Sequence, residues 1–141
     1  MESNLIKAKE LLKNGNYTCV VTNGEKIFTS AERGVKPLLS WFDDGEDFTD
    51  FIVADKVVGK AAAFIYVLFG VSYVYADVIS KKAAEVFGRY DIEYSYGELV
   101  DAIINRTNTG YCPMEQAVAD VSLPADAVIA IKETLKKLKT N

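Results

Sequence analysis

Hydrophobic and polar positions along this chain alternate with a period that changes from helical to extended several times. Near the N-terminus, Leu5, Ala8 and Leu12 recur at intervals of three and four residues. That spacing places them on one face of an amphipathic helix, and Gly15 is a typical residue to end it. The charged residues within this segment predict that it is not a signal peptide.

Two runs rich in β-forming residues follow, over residues 17–22 and 25–30. Asn23 and Gly24 lie between them, and this pair readily adopts positive φ at both central positions of a type I′ turn. The sequence therefore predicts an antiparallel hairpin with a two-residue loop. Pro37 then favours the first turn of a short helix with a bulky apolar face.

The middle of the chain alternates short apolar runs with helical segments. Strands are predicted over residues 51–55, 71–79 and 92–96, and helices over 56–69 and 80–87. This spacing is typical of parallel βαβ units. Further helices are predicted after Gly97, from Cys112 and from Pro124, with a loop over residues 105–111.

The element order predicts an α/β fold with three α/β/α layers. Its mixed sheet begins with an antiparallel hairpin and continues as parallel βαβ units. At 141 residues, the chain has the length of one domain, and we expect a single domain over residues 1–141.

Composition removes several classes of function. The chain has no histidine and two cysteines, which excludes a Ser-His-Asp triad, an imidazole base and a His-containing metal site built by this chain alone. A net charge of −4 argues against nucleic acid as a partner. The longest uncharged stretch, residues 61–76, is shorter than the roughly 20 residues that a membrane span needs. With few cysteines and no export signal, we expect a cytoplasmic protein.

Two strings of residues indicate a family. Residues 58–63 read Val-Gly-Lys-Ala-Ala-Ala, and residues 105–115 read Asn-Arg-Thr-Asn-Thr-Gly-Tyr-Cys-Pro-Met-Glu. Together with the element order, they resemble the uncharacterised prokaryotic family known as domain of unknown function 1893. The resemblance covers roughly residues 3–120, and it implies a cytidine deaminase-like fold.

The resemblance also permits a chemical test, because zinc deaminases hold their metal at two helix starts with His or Cys and use a Glu to move protons. The corresponding positions here fall near residues 32–37 and 56–60, which contain neither His nor Cys. We therefore expect no zinc, no other cofactor and no zinc-dependent deamination.

The start of the predicted helix 56–69 is better suited to an anion. Free backbone N–H groups and the helix dipole favour a phosphate or carboxylate there, Gly59 allows close approach, and Lys56 or Lys60 can supply positive charge. The alternative is structural: Gly59 and the alanines after it are small because the helix packs tightly on the sheet, and the lysines are solvated.

A second candidate site surrounds Cys112. Pro113 suits the first position of a helix, and Glu115 can reach back to the N-cap backbone as in a capping box. Alternatively, the helix start activates Cys112 as a nucleophile, with a carboxylate, a lysine or no group as its base. A third reading is that this region contacts a ligand, together with four residues of the preceding loop: Asn105, Arg106, Thr109 and Gly110.

Two further patterns have simple structural interpretations. Cys19 lies on a predicted strand and reads as a small core residue. Tyr73, Tyr75, Tyr94 and Tyr96 have period-two spacing on neighbouring strands, which predicts core packing, an aromatic ladder or a dimer surface.

The leading hypothesis is a non-catalytic domain that binds a small anionic or nucleotide-like ligand, or a protein partner, where the helices beginning near residues 56 and 112 meet. The first alternative is an enzyme of unassigned reaction that uses Cys112, Glu115 or Lys60. The second is a homo-oligomeric interaction module.

Overall fold

A mixed five-stranded sheet forms the middle layer of this computed structural model, which describes residues 2–104 and 112–140. The strands are β1 (Cys19–Thr22), β2 (Ile27–Ser30), β3 (Ile52–Val58), β4 (Tyr73–Ser80) and β5 (Glu93–Val100). Across the sheet they are arranged β2-β1-β3-β4-β5. β1 pairs antiparallel with both β2 and β3, whereas β3, β4 and β5 are parallel.

Helices cover both faces of this sheet. They are α1 (Glu2–Asn14), α2 (Lys36–Asp43), α3 (Lys60–Phe69), α4 (Lys81–Arg89), α5 (Pro113–Ala117) and α6 (Pro124–Thr140). α1 packs on β1 and β3 from one side. α3 and α4 cover the other side, with α2, α5 and α6 packed around α3. The predicted three-layer α/β/α arrangement, with a hairpin followed by parallel βαβ units, is confirmed.

Strand alternation divides the core between the two faces. Val20 of β1 lies opposite Ala54 of β3, and both pack against α1. Val21 lies opposite Val53, and both contribute to the larger core beneath α3. The sheet is therefore apolar on both sides over its central strands.

The hairpin is confirmed, but the predicted type I′ turn is wrong. Of the residues between β1 and β2, Gly24 alone has positive φ, at 98°. The Asn23 side-chain oxygen accepts hydrogen bonds from the backbone N–H groups of Glu25 at 2.9 Å and Lys26 at 2.8 Å. These bonds let Asn23 close the loop through its side chain, without the positive φ that a type I′ turn requires.

The helix predicted from residue 56 begins later. β3 continues to Val58, because Val57 and Val58 pair with Val78 and Ile79 of β4. α3 begins at Lys60 after the N-cap Gly59, and it ends where expected, before Gly70 with φ 75°. Lys56 therefore lies on a strand and not at a helix start.

The helix predicted after Gly97 is also wrong, because β5 extends through Gly97 to Val100. Glycine is required at this point, since an added Cβ would lie 2.8 Å from the backbone oxygen of Asp77 on β4. α4 likewise continues past its predicted end at residue 87, through Gly88 to Arg89.

The tyrosines on β4 and β5 do not form one ladder. Tyr75 pairs with Ser95 in the parallel register, so Tyr73 and Tyr75 lie on the opposite face of the sheet from Tyr94 and Tyr96. The last two stack on each other, with ring centroids 6.3 Å apart and planes 22° apart.

Candidate functional site

A cleft of about 220 Å³ opens at the carboxyl ends of β4 and β5, beside the starts of α3 and α4. Ligands of open α/β sheets bind outside the carboxyl ends of the strands. The lining residues come from the end of β4, from α3 and α4, from the segment after β5, and from α5 and the turn that follows it: Lys60, Ser80, Lys82, Asp101, Ala102, Ile103, Glu115, Gln116 and Ala119. This cleft is where predicted site residues from distant parts of the chain meet.

Glu115 of α5 closes the N-terminus of α3. Its two carboxylate oxygens accept hydrogen bonds from the backbone N–H groups of Lys60 at 2.7 Å and Ala61 at 2.9 Å. A carboxylate at this end of a helix is favoured by both the free N–H groups and the helix dipole. The anion predicted at the start of α3 is therefore supplied by the chain itself.

Gly59 makes this arrangement possible. An added Cβ at Gly59 would overlap the Glu115 carboxylate. Glycine is thus needed for close approach, but the approaching group is the Glu115 side chain and not the predicted ligand. The predicted capping box within α5 is wrong, because Cys112 receives no side-chain cap and Glu115 caps a different helix.

Lys60 joins α3 to the far end of α5. Its ammonium donates a hydrogen bond to the Ala119 carbonyl oxygen at 3.0 Å. Partial burial lowers the pKa of Lys60, and the nearby positive charges of Lys82 and Arg89 lower it further. The three cations therefore lie close enough to repel one another, and the carboxylates of Glu115 and Asp120 offset part of this effect on Lys60.

The start of α4 forms the opposite wall. Ser80 caps the helix by accepting a hydrogen bond from the Ala83 N–H at 3.1 Å. Lys81 makes an exposed ion pair with Asp101 at 2.7 Å. Lys82 has no ion pair among residues 2–104 and 112–140.

Sequence reasoning missed this second wall. The residues Ser80 and Lys82 stand directly after a predicted parallel strand. A serine N-cap beside lysines at that position was a usable indication of a site.

Lys56 is not part of the cleft. It lies on β3 and lines a separate, open groove beside α1, which also contains Lys9, Lys13, Tyr75 and Asp77. The structure therefore separates two lysines that the sequence had suggested as alternatives for one site.

Cys112 is the N-cap residue of α5, and Pro113 occupies the first turn as predicted. The Cys112 thiol is free and partly exposed. Its backbone N–H donates to the Ile103 carbonyl at 3.1 Å, which places Cys112 next to a cleft-lining residue. The four predicted loop residues, Asn105, Arg106, Thr109 and Gly110, lie outside the described residues.

A buried polar cluster lies beneath α3, and sequence reasoning missed it. The Tyr66 hydroxyl donates to the Asp55 carboxylate at 2.5 Å and lies 3.2 Å from the Cys19 sulfur. Burial raises the pKa of Asp55 to about 7, against the lowering effect of hydrogen bonds from Tyr66 and the β3 backbone. Cys19 is a core residue as predicted, but it has a polar neighbour.

Within residues 2–104 and 112–140, no cluster of three acidic, cysteine or histidine side chains could hold a metal ion. Nor does any helix in that part of the chain have both the length and the apolarity to cross a bilayer.

Comparison with known proteins identifies a family. No curated protein matches the chain. A solved structure does: the 2.70 Å crystal structure of a DUF1893 family protein from Thermotoga maritima has 29% sequence identity and a TM-score of 0.85. The match covers 97% of this chain and 92% of the other. The family described as "Domain of unknown function (DUF1893)" matches residues 7–135, and the chain belongs to this family.

Proposed function

We propose that this protein binds a small anion, such as a phosphate or carboxylate group, in the cleft beside Lys60 and Lys82. The proposal rests on one observation: Lys60 and Lys82 lie close together at the carboxyl edge of the sheet, where their positive charges repel each other. An anion placed between them would relieve that repulsion.

Glu115 and Asp120 raise the pKa of Lys60, but they do not cancel its lowering by burial and by the neighbouring cations. Glu115 is held by the N–H groups at the start of α3, and Asp101 is paired with Lys81. Lys82 has no ion pair within the described part of the chain. We therefore assign binding of the anion to the side chains of Lys82 and Lys60, and not to the N-terminus of α3.

Cleft size favours a small ligand. The volume of about 220 Å³ falls below the roughly 300 Å³ at which pockets for drug-sized ligands begin. This supports an inorganic anion or a short phosphorylated or carboxylated compound more than a whole nucleotide. A nucleotide-like ligand would use the same lysines for its phosphate.

The proposed scaffold is a single cytidine deaminase-like domain without a zinc centre. The order of elements, a helix, a hairpin and then parallel βαβ units, supports this relationship. Position 35 before α2 is Val, and positions 59 and 60 at the start of α3 are Gly and Lys, none of which is a zinc ligand. The free thiols of Cys19 and Cys112 agree with a cytoplasmic location.

Geometry favours binding over catalysis. Both Glu115 oxygens already accept backbone hydrogen bonds, so this carboxylate is poorly placed to act as the base for Cys112. The Lys60 ammonium donates one hydrogen bond to the Ala119 carbonyl and keeps two further donors, which suits an anion, whereas an ammonium has no lone pair with which to act as a base. An enzyme using Glu115 as its base would have to break the hydrogen bonds to Lys60 and Ala61 first.

Isothermal titration with inorganic phosphate, adenosine monophosphate and adenosine tests the proposal. We expect phosphate and the monophosphate to bind and adenosine not to bind. Lys82→Gln should weaken binding at least about tenfold, which corresponds to about 1.4 kcal/mol. Lys26→Gln, which removes an exposed lysine at the hairpin, is the matched control. Equal affinity in both variants, or binding of adenosine alone, would refute the proposal.

A further inference from the structure

β5 forms a long edge of the sheet. Its outer side has no partner strand among the described residues, and it has eight residues, whereas β2 at the opposite edge has four. Soluble proteins usually protect such edges with charged side chains, most often lysine, with proline or with a bulge. β5 contains Glu93 and Glu98 but neither lysine nor proline. Within the described part of the chain, no strand therefore pairs with its outer backbone groups.

Apolar side chains lie beside this edge. The stacked rings of Tyr94 and Tyr96 are 36% and 45% exposed, and Leu99 is 40% exposed. Exposed apolar residues grouped at one place on a surface indicate an interaction site more strongly than scattered ones do.

α4 lies above β5, and its two flanks have different surroundings. Lys82 lines the cleft, and the Arg89 guanidinium donates to the Ser122 carbonyl at 3.3 Å, so that flank faces α5 and the start of α6. Ala84 and Gly88, one helical turn apart, lie on the other flank, where Ala84 packs partly against the core and Gly88 is exposed.

This second flank lies on the side of β5. Phe87, next to Gly88, packs against Tyr94 with ring centroids 5.7 Å apart, and Lys81 reaches Asp101 just beyond the end of β5. An added Cβ at Gly88 would meet no atom within 4 Å. Packing within one copy therefore does not explain the small residue there.

We propose that the chain forms a two-fold symmetric homodimer, in which β5 pairs antiparallel with β5 of a second copy and α4 packs against its counterpart along Ala84 and Gly88. A two-fold axis through the β5 edges brings the two α4 helices together as well, because each helix lies above its own β5. A bound extended peptide would cover β5 alone and leave the small flank of α4 open. The second copy is thus the occupant that accounts for both features.

One register fits the side chains well. With Ser95 opposite Ser95 of the second copy, Tyr94 faces Tyr96 of the second copy on the same side of the joined sheet, twice over. Glu93 then faces Gly97, and Glu98 faces Ile92, so no two acidic side chains are directly opposed. Aromatic pairs of this kind add to the stability of the ladder.

Light scattering across a wide range of protein concentration tests the dimer. We expect twice the 15.6 kDa chain mass for the unaltered protein. Gly88→Glu and Tyr96→Lys, both at exposed positions, should each weaken dimerisation at least about tenfold. Ile129→Lys, at a similarly exposed apolar residue on α6, is the control and should remain dimeric. Circular dichroism verifies that each variant is folded.

A monomer at all concentrations would refute the proposal, and so would a dimer that neither variant weakens. Ser95→Cys in a Cys112→Ser background supplies an independent test, since it should form an interchain disulfide under mild oxidation. Failure to cross-link would exclude the proposed register. The dimer does not depend on the anion site, so Lys82→Gln should leave the oligomeric mass unchanged.

Discussion

Glu115 lies directly against Gly59, with no space between its carboxylate and the backbone for even a methyl group. The two residues are 56 positions apart in sequence, and their contact joins α5 to the start of α3. The stability of this part of the fold should therefore depend on the pair and not on either residue alone.

Gly59→Ala tests that dependence. The backbone at Gly59 has φ −101°, which alanine can adopt, so the expected cost arises from collision with Glu115. We expect a loss of about 1–3 kcal/mol in the free energy of unfolding, measured in urea. In a Glu115→Ala background the same substitution should cost much less, which a double-mutant cycle detects. Equal costs in both backgrounds would contradict the proposed contact.

Glu115→Gln tests whether the charge of the Glu115 carboxylate stabilises the start of α3, because glutamine has nearly the same shape and no charge. Glutamine has one side-chain oxygen, so one of the N–H groups of Lys60 and Ala61 would face an amide donor in place of an acceptor. We expect a loss of about 1–2 kcal/mol in the free energy of unfolding. Glu46→Gln, at an exposed turn, should change that free energy by less than about 0.5 kcal/mol. A neutral effect of Glu115→Gln would remove the argument that this residue caps α3.

Local sequence patterns predicted most of the fold correctly. They failed where contacts with distant residues determine whether a segment is a strand or a helix. Val57 and Val58 suit either the end of a strand or the start of a helix, and pairing with β4 selects the strand. Leu99 and Val100 were expected in a helix, yet they complete β5 for the same reason. The periodicity of hydrophobic residues does not reveal which residues of a neighbouring strand a segment pairs with.

The candidate site shows the same limit. Gly59, Lys60 and Glu115 were each identified from sequence, but Glu115 was expected to bond within its own helix. Its actual partners are 54 and 55 residues away. In the sequence, Asp55 follows an apolar run and gives no sign of a buried partner. Its hydrogen bond with Tyr66 forms only because α3 packs on the sheet.

Tyr66→Phe removes the central hydroxyl of the buried cluster. Asp55 and Cys19 would both lose a hydrogen-bond partner without gaining access to water. We expect a loss of about 1–3 kcal/mol in the free energy of unfolding at neutral pH, the usual cost of a buried unsatisfied polar group. Tyr90→Phe, on a partly exposed tyrosine after α4, is the control and should have little effect. The crystal structure of the Tyr66→Phe variant should keep Asp55 in place; a shift of its carboxylate to solvent would explain a smaller loss.

Asp55 should make stability depend on pH. Its pKa is raised to about 7 in the folded protein, mainly by burial, from a value near 3.8. The folded state therefore holds a proton that the unfolded state releases between these values, so the stabilising contribution is present below about pH 4 and disappears as pH rises to about 7. The decrease is on the order of 4 kcal/mol for a shift of about three pH units. Urea unfolding at a series of pH values measures it. Asp55→Asn, which cannot ionise, should flatten this decrease, whereas Asp77→Asn on the exposed side of β4 should largely preserve it. An unchanged slope in Asp55→Asn would show that Asp55 remains charged inside the fold.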